Sequence, residues 1–222
     1  MSDKDAAARE SGSEPGQPVD VIHEELRQLI HHMRCAKAPD DVLAQVSASI
    51  QSARDALAPH VITTPGWSTV ALGGELTSAP WLDDDITAIM PYSPVTGRQN
   101  AVAPEIKMWR DGDEIHGEAF FTPTYAGPPD CVHGGIIAAV FDELLSMANV
   151  VTGDAGFTGT LSIRYHATTP INTPIELFAE NVRREGRKLV CKGEMRVDGK
   201  VTASAEGLFI AAAETLGDVP KS

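Results

Sequence analysis

The stretch that decides the fold is Gly134-Gly-Ile-Ile-Ala-Ala-Val-Phe-Asp142-Glu-Leu-Leu-Ser-Met-Ala-Asn-Val-Val151. It is apolar nearly all round a helical period and is interrupted only by Asp142, Glu143 and a few small polar residues. A helix of this kind, expected over about 135–151, must be wrapped on most sides. The two carboxylates also argue against a membrane span, which needs about 20 predominantly apolar residues. The flanking sequence supplies a wrapping. Upstream, 105–110 and 114–121 read as short strands around the turn Asp111-Gly112-Asp113. Downstream, Leu161, Ile163, Tyr165 and Ala167 alternate with polar residues, as do Leu189, Cys191, Met195 and Val197. Asp198-Gly199 makes a tight turn into Val201, Ala203, Ala205 and Phe209, and Glu185-Gly186 reads as another. A hairpin, one buried helix and an antiparallel meander are expected, in an α+β layer with the helix in the concave face of the sheet.

The rest of the chain divides by composition. Residues 1–19 are rich in Ser, Glu, Gly, Pro and Ala without periodic apolar positions and read as a disordered tail. Two amphipathic helices are expected within 20–60. The first carries Ile22, Leu26, Leu29, Ile30 and Met33; the second, with Asp40 as its cap, carries Val42, Leu43, Val46, Ile50 and Leu57. Amphipathic helices need a surface to lie on. An irregular, Pro- and Gly-punctuated segment at 61–103 leads into the α+β domain at 104–213.

The chain has 222 residues and a net charge of −13, from 31 acidic against 18 basic residues. That balance excludes nucleic acid and anionic membrane surfaces as expected partners, since both select basic faces. Three scattered cysteines make neither a disulfide framework nor a zinc site. The polar N-terminus carries no secretory signature, so a reducing cytoplasmic location is expected. No cofactor or metal is called for. His23, His31 and His32 read as a solvated helix face, Asp83-Asp84-Asp85 as a loop or cap, and Cys131 as structural.

The chemistry is concentrated in Gly127-Pro-Pro-Asp-Cys-Val-His133-Gly134-Gly135 and the helix that follows. First-turn amides have no intrahelical partner and sit at the positive end of the helix dipole. Glycines there let a ligand approach them closely, so a carbonyl becoming an oxyanion is stabilised. His133 orients the loop or donates a hydrogen bond; an ordinary helix start with a solvated His fits the spacing equally well. Asp142 has Ala138, Ala139, Leu145 and Ser146 as helical neighbours. A carboxylate on that face is poorly hydrated, which suits a base or nucleophile. Glu143 is expected to point to solvent. Gly134 and Asp142 lie eight residues apart, roughly 12 Å along a helix. One reacting carbon cannot touch both in one protomer, so a shared site requires the helix start of one subunit and Asp142 of another.

His-Gly-Gly with an Asp nine residues after the His resembles the hotdog-fold acyl-CoA thioesterases of the PaaI type. The similarity is greatest to their mammalian branch, thioesterase superfamily members four and five. It rests on the Gly-Pro-Pro lead-in, Thr158 sixteen residues after Asp142, Tyr165, Pro170, Glu185-Gly186-Arg187-Lys188, Ser204-Ala205-Glu206 and Phe209, over about residues 90–211. The resemblance implies a hotdog fold and hydrolysis of acyl-CoA by a homodimer or a dimer of dimers. Gly134, with Gly135 adjacent, would polarise the carbonyl; Asp142 would be base or nucleophile. Thr158 would hold the water or Asp142, and His133 would support the loop. The CoA nucleotide would lie near Arg187 and Lys188, with Arg183 and Arg184 behind them. Between 183 and 192 five basic residues face one acidic one, against the trend of the whole chain. The alternative is a hotdog protein that binds acyl-CoA without turning it over, as sensor or carrier. Asp142 together with Thr158 speaks against it, because a pure binder needs neither. A hydratase on the same fold needs a His soon after the Asp, and none follows Asp142.

Overall fold

The computed structural model describes residues 18–62, 85–154 and 156–211. Helices α1 (Pro18–Cys35) and α2 (Asp40–Leu57) precede strands β1 (Glu105–Asp111) and β2 (Glu114–Phe120). Helix α3 (Gly134–Val151) follows, then β3 (Gly156–Tyr165), β4 (Pro174–Glu185), β5 (Lys188–Val197) and β6 (Lys200–Ala211). The expected tail at 1–19 lies outside the described residues except for Pro18 and Val19, which form the first turn of α1.

The strands make one antiparallel sheet in the order β1-β2-β4-β5-β6-β3. This corrects the expected meander. Strands β4 to β6 do follow one another, but β3 pairs with β6 at the far edge rather than with β4. The reason is the length of α3. Eighteen residues span roughly 27 Å at helical rise, enough to carry the chain from β2 across the concave face to the opposite edge. The turns are those read from sequence: Gly112, Gly186 and Gly199 all take positive φ, and Asp198 joins Gly199 in the left-handed region that a two-residue hairpin demands.

By length and composition α3 could cross a bilayer, contrary to the inference from its two carboxylates. Its apolar surface is taken up inside the sheet instead. Val140, Phe141, Leu144, Leu145 and Ala148 are wholly buried against Ile115, Ile175, Ala179, Leu189, Met195 and Phe209. Two glycines open the sheet for the helix. A Cβ on Gly193 would stand 3.0 Å from Leu145 Cδ2, and one on Gly207 2.9 Å from Leu145 Cδ1. Leu145 therefore sits in a hollow that no other residue type leaves open. Asn149, fully buried one turn later, accepts from Asn181 Nδ2 at 3.1 Å and from the Cys191 thiol at 3.0 Å, which ties the helix to β4 and β5.

The N-terminal helices fit less closely. Arg27 anchors α1 by donating to the carbonyls of Ala103 at 3.1 Å and Arg98 at 3.2 Å. Gln99 adds a bond to Asp20 at 2.9 Å. Helix α2 has no buried residue, and Pro39 rather than Asp40 occupies its cap position, without a side-chain hydrogen bond. In the segment read as irregular, residues 63–84 lie outside the described residues, and Ile86–Ile89 forms a short 3-10 helix. Asp85 caps it by accepting from the Thr87 amide at 3.1 Å and pairs with Arg98.

Gly193→Ala is expected to destabilise the protein by about 1–3 kcal/mol, because the methyl would stand 2.8 Å from the Phe178 carbonyl oxygen and 3.0 Å from Leu145 Cδ2. Urea unfolding should show a lower midpoint at an unchanged slope. Burial pushes the Cys191 thiol up to about 12, with the bond to Asn149 opposing and Asp154 reinforcing the shift. At about pH 8 roughly one Cys191 in ten thousand is then thiolate. A thiol reagent should modify exposed Cys35 in the native protein and reach Cys191 only on unfolding.

Candidate active site

The helix start is built by the loop before it. Gly127 N–H bonds Cys131 O at 3.0 Å, closing a turn in which Asp130 takes a positive φ. Val132 N–H to Thr169 O at 2.8 Å and Ile171 N–H to Asp130 O at 3.1 Å fasten that turn to the segment after β3. His133 then caps α3. Its Nδ1 accepts the Gly135 amide at 2.9 Å, and its carbonyl accepts the amides of Ile136 and Ile137 at 2.9 and 3.2 Å. With Nδ1 accepting, a neutral ring carries its proton on Nε2.

This arrangement separates the two glycines. The Gly135 amide is occupied by His133, and a Cβ at Gly135 would press on the imidazole, 3.1 Å from Nδ1. Gly135 therefore serves the cap and offers no free donor, against the expectation of close ligand approach at both glycines. The Gly134 amide has no acceptor among the described residues. A Cβ there would lie 3.4 Å from Tyr165 Oη, an ordinary contact. The fold tolerates a side chain at 134, so what the glycine provides is open approach to its own N–H.

Two turns along the helix Asp142 is half-buried, and Thr158 Oγ1 donates to its Oδ1 at 2.7 Å. Thr158 reaches it from β3, next to the register shift between Thr158 and Thr160. One carboxylate oxygen is thus engaged and the other is available. Glu143 does not point to solvent. It is half-buried and accepts the Thr96 hydroxyl at 2.7 Å. The sequence offered no sign of this, because Thr96 lies 47 residues away in the punctuated segment.

The basic hairpin between β4 and β5 is largely self-paired. Arg183 meets Glu185 at 3.2 Å, Arg184 pairs with Asp154, and Arg187 donates to the Ala211 carbonyl at 3.2 and 3.3 Å. Lys188 has no partner among the described residues. Asp154 follows the C-terminal end of α3, so the hairpin stands at the opposite end of that helix from Gly134. The structure brings Asp142 and Thr158 together, and His133 with Gly135. Thr158 lies opposite Phe209 and Phe209 opposite Leu189, so the Asp142–Thr158 pair stands two strands from the start of β5 at the basic hairpin, and the His133–Gly135 cap is at the other end of α3. The residue that sequence reasoning left without a role is Tyr165, whose hydroxyl donates to the Gly134 carbonyl at 2.8 Å. Among the described residues no His, Cys, Asp and Glu side chains gather into a metal-binding group.

No protein-family profile matches the chain. A crystal structure described as a thioesterase superfamily protein is 30% identical, with a TM-score of 0.76, over 89% of this chain and 97% of its own. Among curated proteins, acyl-coenzyme A thioesterase THEM5 of Homo sapiens is 33% identical over 86 residues, 38% of this chain and 35% of its own length. Acyl-coenzyme A thioesterase THEM4 of Bos taurus is 30% identical over 118 residues, 51% of this chain and 48% of its own. The chain spans about half or less of the length of these curated relatives.

Proposed function

Since the chain belongs to the thioesterase superfamily, we propose that it hydrolyses an acyl-CoA thioester to the free acid and CoA. The observation that carries the reading is the pairing of an unoccupied helix-start amide, Gly134, with a carboxylate held by Thr158 on the same helix. The thioester oxygen sits on the Gly134 N–H, which stabilises the charge that develops as the carbonyl carbon becomes tetrahedral. Asp142 takes the proton of the attacking water through the oxygen that Thr158 leaves free. The C–S bond then breaks, and the thiolate of CoA receives that proton on leaving. Lys188, which has no partner among the described residues, takes an anionic group of the nucleotide.

Gly134 and Asp142 are roughly 12 Å apart along α3, so the reacting pair comes from two copies of the chain. Strand β3 is the element suited to joining them. It is an edge strand bonded only to β6, and Phe157 on it is 67% exposed. Thr158 and Tyr165, which touch the two ends of the site, flank its middle. Antiparallel pairing of β3 with its counterpart, with Thr158 opposite the partner's Tyr165 and the bulge residue Gly159 skipped, puts Ser162 opposite itself on the two-fold axis. Each such dimer holds two equivalent sites.

Asp142→Asn is expected to abolish CoA release from the best acyl-CoA in a screen of chain lengths and aromatic acyl groups, with the melting temperature retained. Near-normal turnover in that variant would refute the mechanism. Separately, Ser162→Cys should give a disulfide-linked dimer on mild oxidation, because facing Cβ atoms in an antiparallel ladder are about 4.5–5.5 Å apart. A monomer in sedimentation, or a dimer that does not cross-link, would overturn the register.

A further inference from the structure

We infer that Tyr165 is a positioning residue for the Gly134 amide; the inference rests on the hydrolase reading above. Its hydroxyl, carried by edge strand β3, donates to Gly134 O at 2.8 Å across 31 residues of sequence. The N–H of that same peptide unit, Gly135 N–H, donates to His133 Nδ1 at 2.9 Å. The peptide between the two glycines is therefore held at both of its polar ends, by a strand on one side and by the helix cap on the other. The preceding peptide is held at its carbonyl alone, through Ile136 and Ile137. Only its N–H, that of Gly134, remains unused.

Glycine has the freest backbone of any residue, so an unclamped Gly134 could swing its N–H through a wide range of directions. Fixing the peptides on both sides removes that freedom before substrate arrives, and oxyanion stabilisation depends on a donor already aimed. Tyr165 is 52% exposed, and its burial adds little to the core. Its hydroxyl bond, rather than its packing, is the specific contribution. The relay from Tyr165 O–H through the peptide to Nδ1 also favours the His133 form with its proton on Nε2, so both polar groups at the helix start are set by one hydroxyl.

Tyr165→Phe keeps the ring and removes only the donor. It should lower kcat about tenfold at a KM within about twofold of the wild type, since a misaimed amide weakens transition-state stabilisation more than ground-state binding. The loss should be equal for short and long acyl chains, because the carbonyl is common to them. Amide hydrogen exchange at Gly135 should accelerate in the same variant while exchange in β5 stays unchanged. Unchanged kcat, or a loss that sits in KM and grows with acyl length, would make Tyr165 an acyl-pocket residue and overturn the inference. If the wild-type protein hydrolysed no acyl-CoA, the hydrolase reading would fail. The exchange measurement would then decide on its own whether the clamp exists, with unaltered Gly135 exchange refuting it.

Discussion

Everything in this fold follows from a helix that cannot face water. With most of its circumference apolar, α3 is stable only where a sheet closes round it, and β2, β3, β4, β5 and β6 all pack on it. Leu145 is set into the hollow left by Gly193 and Gly207. Small residues on β5 and β6 let the backbone of the sheet approach the helix. The polar cluster of Asn149, Asn181 and Cys191 then fixes rotation and register at the far end of the helix. Apolar contact alone leaves a helix free to slide, whereas a buried amide must find its partners in one position.

The same burial explains the arrangement of polar groups on α3. Asp142 and Glu143 are neighbours in sequence, but successive helical side chains point about 100° apart. One meets Thr158 on the edge strand, and the other meets Thr96 in the segment that also holds α1 through Arg27. Glu143, beside the carboxylate proposed for chemistry, thereby links the core helix to the segment on which the N-terminal extension rests.

How much of this was legible in the sequence follows the range of the interactions. The core helix, the hairpin turns at Gly112, Gly186 and Gly199, and the alternation in β5 and β6 are local patterns, and each stands where its residues placed it. The pairing of β3 with β6 depends on how far α3 carries the chain, a global length match that no local pattern encodes. Glu143 was misread for the same reason, its partner being a threonine 47 residues away in a stretch without periodicity. The two glycines were separable only with a structure in hand. They are adjacent in sequence, yet one accommodates the imidazole of His133 and the other leaves an amide open. The basic hairpin was legible as a concentration of charge, but the internal pairing of Arg183, Arg184 and Arg187 was not.

Strand β3 has one sheet neighbour instead of two, and both of the side chains that steady the ends of the site, Thr158 and Tyr165, are mounted on it. Edge strands open at lower free energy than the strands they flank, often as one cooperative unit. In a separated protomer, fraying of β3 would release the carboxylate and the glycine peptide in the same event while the helix stayed embedded in β2, β4 and β5. In the proposed dimer the counterpart strand supplies the missing neighbour, so pairing of two copies would steady both ends of the site at once. The thermal limit of activity would then rise with protein concentration, because separation of the copies would come before unfolding of either.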